Sequence, residues 1–296
     1  MIYAGSKLYQ AHGQIDAINP ELPSAEIIGE SIASEDLPVS LTAYNTATQN
    51  VPLSSVLKGV NSDESFDMSF PIFVVTWANG RQFVIDAGLS ALTAGPFGES
   101  SELLGAGPMQ FHAGLGDLVE AEKTSGIGFT HLHSDHVDGA QDLCKSAKSL
   151  IIIQSVQQYT TTNYLTEAGN LQLEVMECAQ RLLIRDETAT LKPIGSFPGV
   201  FLVNTGGHTP GSQVFVVHVR NNAGTMTYIL AGDLVNHYQA IEENISKPAF
   251  YSYLIVPENL SQLEKARVWL KGLAAQRNFK VLVSHHKENI SDLFPD

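Results

Sequence analysis

The run His131-Leu132-His133-Ser134-Asp135-His136 decides how this chain is read. It follows Ile127-Gly128-Phe129-Thr130, a short strand by composition. In an extended segment residues two apart point the same way, so His131 and His133 can present two imidazoles to one ion. Where the chain then bends, Asp135 and His136 can serve a second ion or a water. Zinc is held by imidazole nitrogen and carboxylate oxygen at about 2.0–2.2 Å. Four such side chains in so short a run describe a metal site far better than a polar loop rich in histidine.

Further ligand types stand where other apolar strands end. They are His208 in Gly206-Gly207-His208-Thr209-Pro210-Gly211, Asp233 in Leu230-Ala231-Gly232-Asp233, and His285 in Val281-Leu282-Val283-Ser284-His285. Each alone says little. Together with the first run they suffice for two ions sharing one carboxylate.

Around these points the chain reads as alternating strands and helices. Ile72 to Val75 and Phe83 to Ile85 flank Asn79-Gly80, a dipeptide suited to a tight hairpin. Leu150 to Ile153, Val200 to Asn204, Val214 to Val219, Thr225 to Ala231 and Lys280 to Ser284 read as strands. A helix is expected near Gly139 to Lys145 and another over residues 171–184. The last helix is marked by a Ser261/Glu264 capping box and by Leu263, Ala266, Leu270 and Leu273 at spacings of three and four. Residues 88–116 form a long loop studded with Phe97, Leu103, Leu104, Met109 and Phe111, the kind that packs over a site. Up to about residue 67 the chain mixes strand-like pieces, such as Ser40 to Tyr44, with Pro- and acid-rich loops. The class is α/β or α+β with more than one sheet, and residues 1–296 are read as one domain with 1–67 as N-terminal strands and extension.

Lys and Arg number 17 against 31 Asp and Glu, a formal charge of −14 that would repel nucleic acid and anionic membrane surfaces. A small-molecule substrate is the expected partner, and a homodimer is one assembly open to the chain. No apolar run approaches the roughly 18 residues of a membrane span. The start lacks the basic-then-apolar pattern of a signal peptide, so a cytoplasmic protein is expected, or a periplasmic or secreted one if a signal has been trimmed. Cys144 and Cys178, the only cysteines, read as reduced, buried thiols.

The order His-x-His-x-Asp-His, Gly-His-Thr-Pro-Gly-Ser, Gly-Asp and a strand-terminal His resembles the metallo-β-lactamase superfamily, matched from about residue 70 onward. The resemblance implies a four-layer αββα sandwich with metals at one edge between its sheets. It implies that His131, His133 and His208 hold a first ion, that Asp135, His136 and His285 hold a second, and that Asp233 bridges them. Asp86, in Val84-Ile85-Asp86-Ala87-Gly88, matches the family's early Asp-x-Gly turn and would orient a ligand histidine. The usual Pro-Gly-His is here Val283-Ser284-His285-His286, and His285 is favoured over His286 as the last ligand. Two divalent ions are implied, zinc first, with manganese, iron and cobalt also accepted by this ligand mix.

Ions about 3.5–4 Å apart can bridge a water and lower its pKa towards neutrality. A metal-bridged hydroxide is then the expected nucleophile, with Asp135 orienting it and passing a proton on. Asp233 speaks against a β-lactamase, which has Cys or Ser there, and His133 against a flavodiiron reductase, which has Glu. The nearest resemblance is to the lactonase and methyl-parathion-hydrolase-like group, although the lactonases' Tyr three residues after the bridging Asp is here Asn236, with Tyr238 out of register. Hydrolysis of a carboxylic ester or lactone is the first expectation and of a phosphotriester the second. A one-iron sulfur dioxygenase and an inactive binding protein stand behind them. Phe97, Met109, Phe111, Phe250, Tyr251 and Tyr253 are candidates for an apolar substrate pocket. His12, His112, His218 and His237 read as structural or surface residues, with His237 the exception that could reach the pocket.

Overall fold

The computed structural model describes residues 2–32, 35–61, 63–147, 149–186, 188–222 and 224–295. Their order is α1 (Ile2–Asp16), α2 (Ala25–Glu30), β1 (Ser40–Pro52), β2 (Ser65–Thr76), β3 (Gln82–Ile85), α3 (Ala94–Glu102), β4 (Gln110–Phe111), α4 (Leu115–Leu118), β5 (Thr124–Gly128), α5 (Ser134–Val137), β6 (Leu150–Ser155), α6 (Val156–Thr160), α7 (Glu167–Glu174), β7 (Ala179–Ile184), β8 (Lys192–Pro193), β9 (Val200–Asn204), β10 (Gln213–Asn221), β11 (Gly224–Leu230), α8 (Gln239–Glu242), α9 (Leu260–Ala274), β12 (Phe279–Leu282) and α10 (Lys287–Ile290).

Strand alternation builds the layers. The first sheet runs β4-β1-β2-β3-β5-β6-β7 and the second β12-β11-β10-β9-β8. Phe73, Val75, Phe83 and Ile85 of the first sheet meet Leu202, Phe215, Val217 and Leu230 of the second in one buried cluster between them. The intervening residues point outward. Ile72, Val74, Val84, Ile127 and Ile152 pack against Val137, Ala140, Leu143 and Leu173. On the far side Val203, Val214, Val216, Ile229 and Val281 pack against Leu263, Ala266, Leu270 and Leu273 of α9. Both faces of each sheet are thus covered, giving the expected four-layer αββα sandwich. Each large side chain so buried contributes about 1.5–3 kcal/mol relative to exposure.

Strand direction decides where the chemistry falls. β3 and β5 are parallel, β11 and β12 are parallel, and β9 is antiparallel to β10, which is antiparallel to β11. The C-terminal ends of β9, β11 and β12 therefore share one edge, and Asp86 and His131 follow the ends of β3 and β5. The β2–β3 hairpin turns at Asn79-Gly80 as read, with Gly80 at φ 81° and Phe73 facing Ile85.

Several expectations are corrected. The first 67 residues contain two helices and a 13-residue strand that pairs with β2, not short strands in loops. Residues 171–184 are not one helix, because α7 ends at Glu174 and Ala179–Ile184 pairs in parallel with β6. Helix-forming residues there yield to the open edge of β6, a tertiary gain that local preference cannot see. The loop after Gly88 carries α3, and the last helix is capped by Asn259, whose Oδ1 accepts from Gln262 N at 2.9 Å, rather than by Ser261. Cys144 and Cys178 are not free thiols. They are joined in a disulfide that ties the turn after α5 to the residue before β7. Among the described residues no helix is long and apolar enough to cross a membrane.

His218 on β10 is structural, as read. Ser31 Oγ donates to Ile28 O, so it accepts from His218 Nε2 at 2.9 Å, while His218 Nδ1 accepts from Thr227 Oγ1 at 2.9 Å. Both ring nitrogens are satisfied in the neutral form, and burial lowers the imidazole pKa to about 4. An unfolded histidine titrates near 6.5, so between these values the unfolded chain takes a proton that the fold refuses. The stability contribution is complete above about pH 6.5 and is lost as pH falls towards 4. Between pH 7 and 5 the loss from this residue is about 2 kcal/mol. Urea unfolding of His218→Gln should show a pH dependence weaker than wild type by that amount. Identical slopes in the two proteins would contradict it.

Candidate metal centre

The His131–His136 run leaves β5 and turns into α5 (Ser134–Val137), which places Asp135 and His136 behind His131 and His133. Two backbone contacts close this turn onto the segment after β3, with Ala87 N donating to His136 O at 2.7 Å and Gly139 N to Gly88 O at 3.1 Å. A Cβ at Gly139 would lie 2.2 Å from the Ala87 carbonyl, so only glycine allows this approach.

Asp86 sits beneath the turn, fully buried, at a left-handed φ of 61°. Its Oδ1 accepts from Thr130 N at 2.7 Å. Its Oδ2 accepts from Thr130 Oγ1 at 2.8 Å and from His136 Nδ1 at 2.9 Å. With the proton held on Nδ1, His136 turns the lone pair of Nε2 away from Asp86. His285 is set in the same way, because its Nδ1 donates to Ser69 O at 2.7 Å. His208 Nδ1 donates to Glu258 Oε1 at 2.6 Å. Three histidines from three strand ends thus have one nitrogen anchored and the other free.

Those free nitrogens converge in two groups. His131, His133 and His208 form one, and Asp135, His136, Asp233 and His285 the other, with a ligand atom from each residue within 4.8 Å of the rest of its group. In the first, His131 Nε2 and His208 Nε2 lie 3.0 and 3.2 Å from His133 Nδ1. In the second, Asp233 Oδ2 is 3.0 Å from His285 Nε2 and Asp233 Oδ1 is 3.3 Å from His136 Nε2. Asp135 Oδ2 is 3.5 Å from His285 Nε2 and 3.7 Å from His136 Nε2. Asp233 Oδ2 also lies 3.8 Å from His208 Nε2, so this carboxylate stands between the groups.

The electrostatics fit metal ions. Burial, then the neighbouring histidines, push His131 well below the usual histidine range. Burial, then His208, do the same to His133. Burial, then Lys247, lower His208. All three are therefore neutral imidazoles, the form in which a histidine can hold a metal ion. Burial opposes protonation of His136 and His285 too, but Asp86, Asp135 and Asp233 outweigh it at His136, and Asp233 first at His285, so both are raised. Burial would raise Asp233, yet His285 and His136 hold it well below the carboxylate range. Positive charge on the Nε2 side of His136 and His285 offsets Asp233 at 3.0–3.3 Å, whether a proton or a metal ion supplies it. His133 Nε2, His136 Nε2 and Asp233 Oδ1 are buried without a well-directed hydrogen bond, although the last two lie 3.3 Å apart, and atoms left so at a cluster of this kind suit a metal ion.

The position of His286 bears on the choice of last ligand. Its Nδ1 accepts from Tyr238 N at 3.0 Å, and its ring stacks on His237 at 3.9 Å. It belongs to neither group. His237 is occupied by that stack and by the edge of Phe66 at 5.2 Å.

A cavity of about 800 Å³ opens onto His133, Asp135, Asp233 and His285. Its walls are mostly apolar, with Val51, Met68, Leu92 and Leu104 among them, and no Lys or Arg lines it among the described residues. Of the pocket residues expected from sequence, Phe97 and Tyr251 line it. Met109 and Phe111 instead pack around Phe70, Leu89 and Ala94. Phe250 is 57% exposed and Tyr253, 51% exposed, lies against His12, both away from the cavity, as is His237. Aromatic composition could not separate wall from core.

The sequence reading missed Glu258, Lys247 and Ser252, which are buried together behind His208. Lys247 Nζ and His208 Nδ1 share Glu258 Oε1 at 2.6 Å each, and Ser252 Oγ donates to Oε2 at 2.6 Å. The available signal was Glu258 beside Pro257 at the entry to an amphipathic helix, where an acid ordinarily faces solvent.

No protein-family model matches the chain, and no curated protein sequence matches it. Solved structures do. The chain is similar to a quorum-quenching N-acyl homoserine lactone lactonase, with a TM-score of 0.63 at 14% identity over 87% of this chain and 96% of that one. It is similar to an N-acyl homoserine lactone hydrolase with the product N-hexanoyl-L-homoserine at its catalytic metal centre, with a TM-score of 0.62 at 14% identity over 86% and 96%. A dizinc quorum-quenching lactonase matches with a TM-score of 0.51 at 15% identity over 84% and 88%. At such identity the likeness shows a common fold.

Proposed function

We propose that this chain, which has the four-layer αββα metallo-β-lactamase fold, is a dinuclear metal-dependent hydrolase that cleaves a carboxylic ester or lactone of a small, neutral, largely apolar molecule. The observation that carries the reading is the pair of converging ligand groups at the end of an apolar cavity. His131, His133 and His208 would hold one divalent ion, Asp135, His136 and His285 the other, and Asp233 both. Zinc is the first choice, on imidazole and carboxylate ligation and on the dizinc composition of one structural neighbour. Two such ions supply Lewis acidity that brings a water towards ionisation near neutral pH and polarises a carbonyl.

The chain's own residues do the rest. Asp135 lines the cavity and can take the proton of the attacking water and return it to the leaving alkoxide. Tyr251 faces the same space. Burial, then Glu258, Asp233 and Asp135, raise its phenol well above the usual range, so it serves as a hydrogen-bond donor and not as a base. Asn236 also lines the cavity and is buried, and its Oδ1 lacks a protein partner, which leaves that oxygen able to accept from a donor on the substrate. The absence of cationic groups from the described wall disfavours anionic substrates, nucleic acid included. We read residues 1–296 as one domain. The Cys144–Cys178 bond supports an oxidising compartment over the cytoplasm.

Metal-loaded protein assayed against lactones, aryl esters, phosphotriesters, thioesters and β-lactams tests the assignment. Lactones or carboxylic esters should give the highest kcat/KM, rising about fourfold per added methylene until the cavity is filled. Faster turnover of phosphotriesters, or no dependence on chain length, would overturn it.

A further inference from the structure

Lys247 is only 5% exposed, and its ammonium does more than answer one carboxylate. It donates to Glu258 Oε1 at 2.6 Å and to the main-chain oxygen of Asp233 at 2.9 Å. Glu258 Oε1 is also the atom that receives the proton of His208 Nδ1, and the Glu258 side chain has no exposed surface. Burying such an ion pair carries a desolvation penalty that an apolar pair of the same volume would not. Lys247 does not line the cavity, so substrate contact does not account for it.

What it touches does account for it. Through Glu258 Oε1, and across 3.3 Å from its own Nζ to His208 Nδ1, it reaches a histidine of the first group, and it reaches directly the backbone of the residue both groups share. The other anchored histidines lack such a link, since His136 rests on Asp86 and His285 on Ser69 O. Asp233 follows Gly232, whose φ of 54° puts the chain in a turn that few residues adopt, and it sits in a single 3-10 turn, Gly232–Leu234, with non-helical backbone angles of its own. A hydrogen bond to its carbonyl therefore helps to set where its carboxylate points. The same ammonium offsets the charge of Glu258, so His208 is backed by a neutralised carboxylate rather than a free one.

We infer that Lys247 is a positioning residue that couples the two metal positions, fixing His208 at the first through Glu258 and the shared Asp233 through its main chain. The inference rests on the dinuclear reading above. Its test is titration of the stripped full chain with Co²⁺ alone, read by visible absorption and by competition with a chromophoric chelator, at a temperature where circular dichroism shows each variant folded. Wild type should bind two equivalents. In Lys247→Met one equivalent should weaken about 10- to 100-fold, the range seen when a partner of a ligand is removed. The other should weaken by more than about threefold, with an altered absorption band, because Asp233 is released as well. Leu270→Ala, which opens the α9 core without touching these contacts, should lose stability and bind both ions as wild type does.

Weakening of a single equivalent in Lys247→Met, affinities unchanged within about threefold, or the same losses in Leu270→Ala would each overturn the coupling. If Lys247→Met does not fold, Lys247→Gln carries the same test, since it removes the ammonium and leaves Glu258 and His208 in place. Two affinities within about threefold of wild type in that variant would again overturn it. A wild-type protein that binds fewer than two Co²⁺ defeats the dinuclear reading instead, so the two failures are told apart.

Discussion

His131→Ala and Asp233→Ala should each lose metal and hydrolysis together while remaining folded. His131 contributes one of two neutral nitrogens that lie 3.0 and 3.2 Å from a third, His133 Nδ1, and Asp233 is the carboxylate between both groups. Removing His131 relieves a crowd of facing lone pairs, so the fold has little reason to suffer. Removing Asp233 takes from His285 its nearest carboxylate, while His136 keeps Asp86 and both keep Asp135, so neither imidazole is left without a counter-charge. Metal polarisation supplies several kcal/mol of transition-state stabilisation, so loss of either ion should cost about 10³-fold or more in kcat/KM. Metal analysis and circular dichroism on the same samples check both halves. Unchanged metal content in both folded variants would refute the ligand assignment.

Asp86→Ala should be the most destabilising single change near the site. The carboxylate is fully buried and accepts from Thr130 N, Thr130 Oγ1 and His136 Nδ1, all within 2.9 Å. Its loss strands three donors away from water, at about 1–3 kcal/mol for each group left unpaired. Thr130 can relax in part, so a total of about 3–5 kcal/mol is expected, the range for breaking a buried charged network. Asp86→Asn keeps the shape and its one oxygen can still accept from Thr130 N, but the amide nitrogen that replaces Oδ2 cannot accept from Thr130 Oγ1 or His136 Nδ1. It should fold better than the Ala variant and still lower metal affinity about 10- to 100-fold, because His136 is no longer oriented. Urea midpoints and a Zn²⁺ titration separate the two effects. An Asp86→Ala protein within about 1 kcal/mol of wild type would contradict the network.

Much of the centre could be read before the structure because its residues are bunched or punctuated. His131 to His136 lie within one turn of chain, and His208, Asp233 and His285 each follow an apolar strand, so strand ends alone bring them together. The hairpin at Asn79-Gly80 was legible because that dipeptide accepts the backbone the turn needs. Lys247, Ser252 and Glu258 were not legible, since their partner His208 is some 40 residues or more away and nothing local marks a lysine as buried. The Cys144–Cys178 bond was hidden for the same reason, as its two ends meet only when β7 pairs with β6. Ala179–Ile184 carried a helical composition and became a strand because an edge was waiting for it. Met109, Phe111 and Phe250 show the limit of composition, for apolar side chains in one loop can face a cavity, a core or solvent.

Whether the seven residues hold two ions is decided by counting the metal bound to the folded chain. Wild-type protein loaded with Zn²⁺, freed of excess by gel filtration and analysed by mass spectrometry against protein concentration should contain two zinc ions per chain. One iron ion per chain as isolated, with a single Zn²⁺ taken up on reloading, or no retained metal at all, would contradict it.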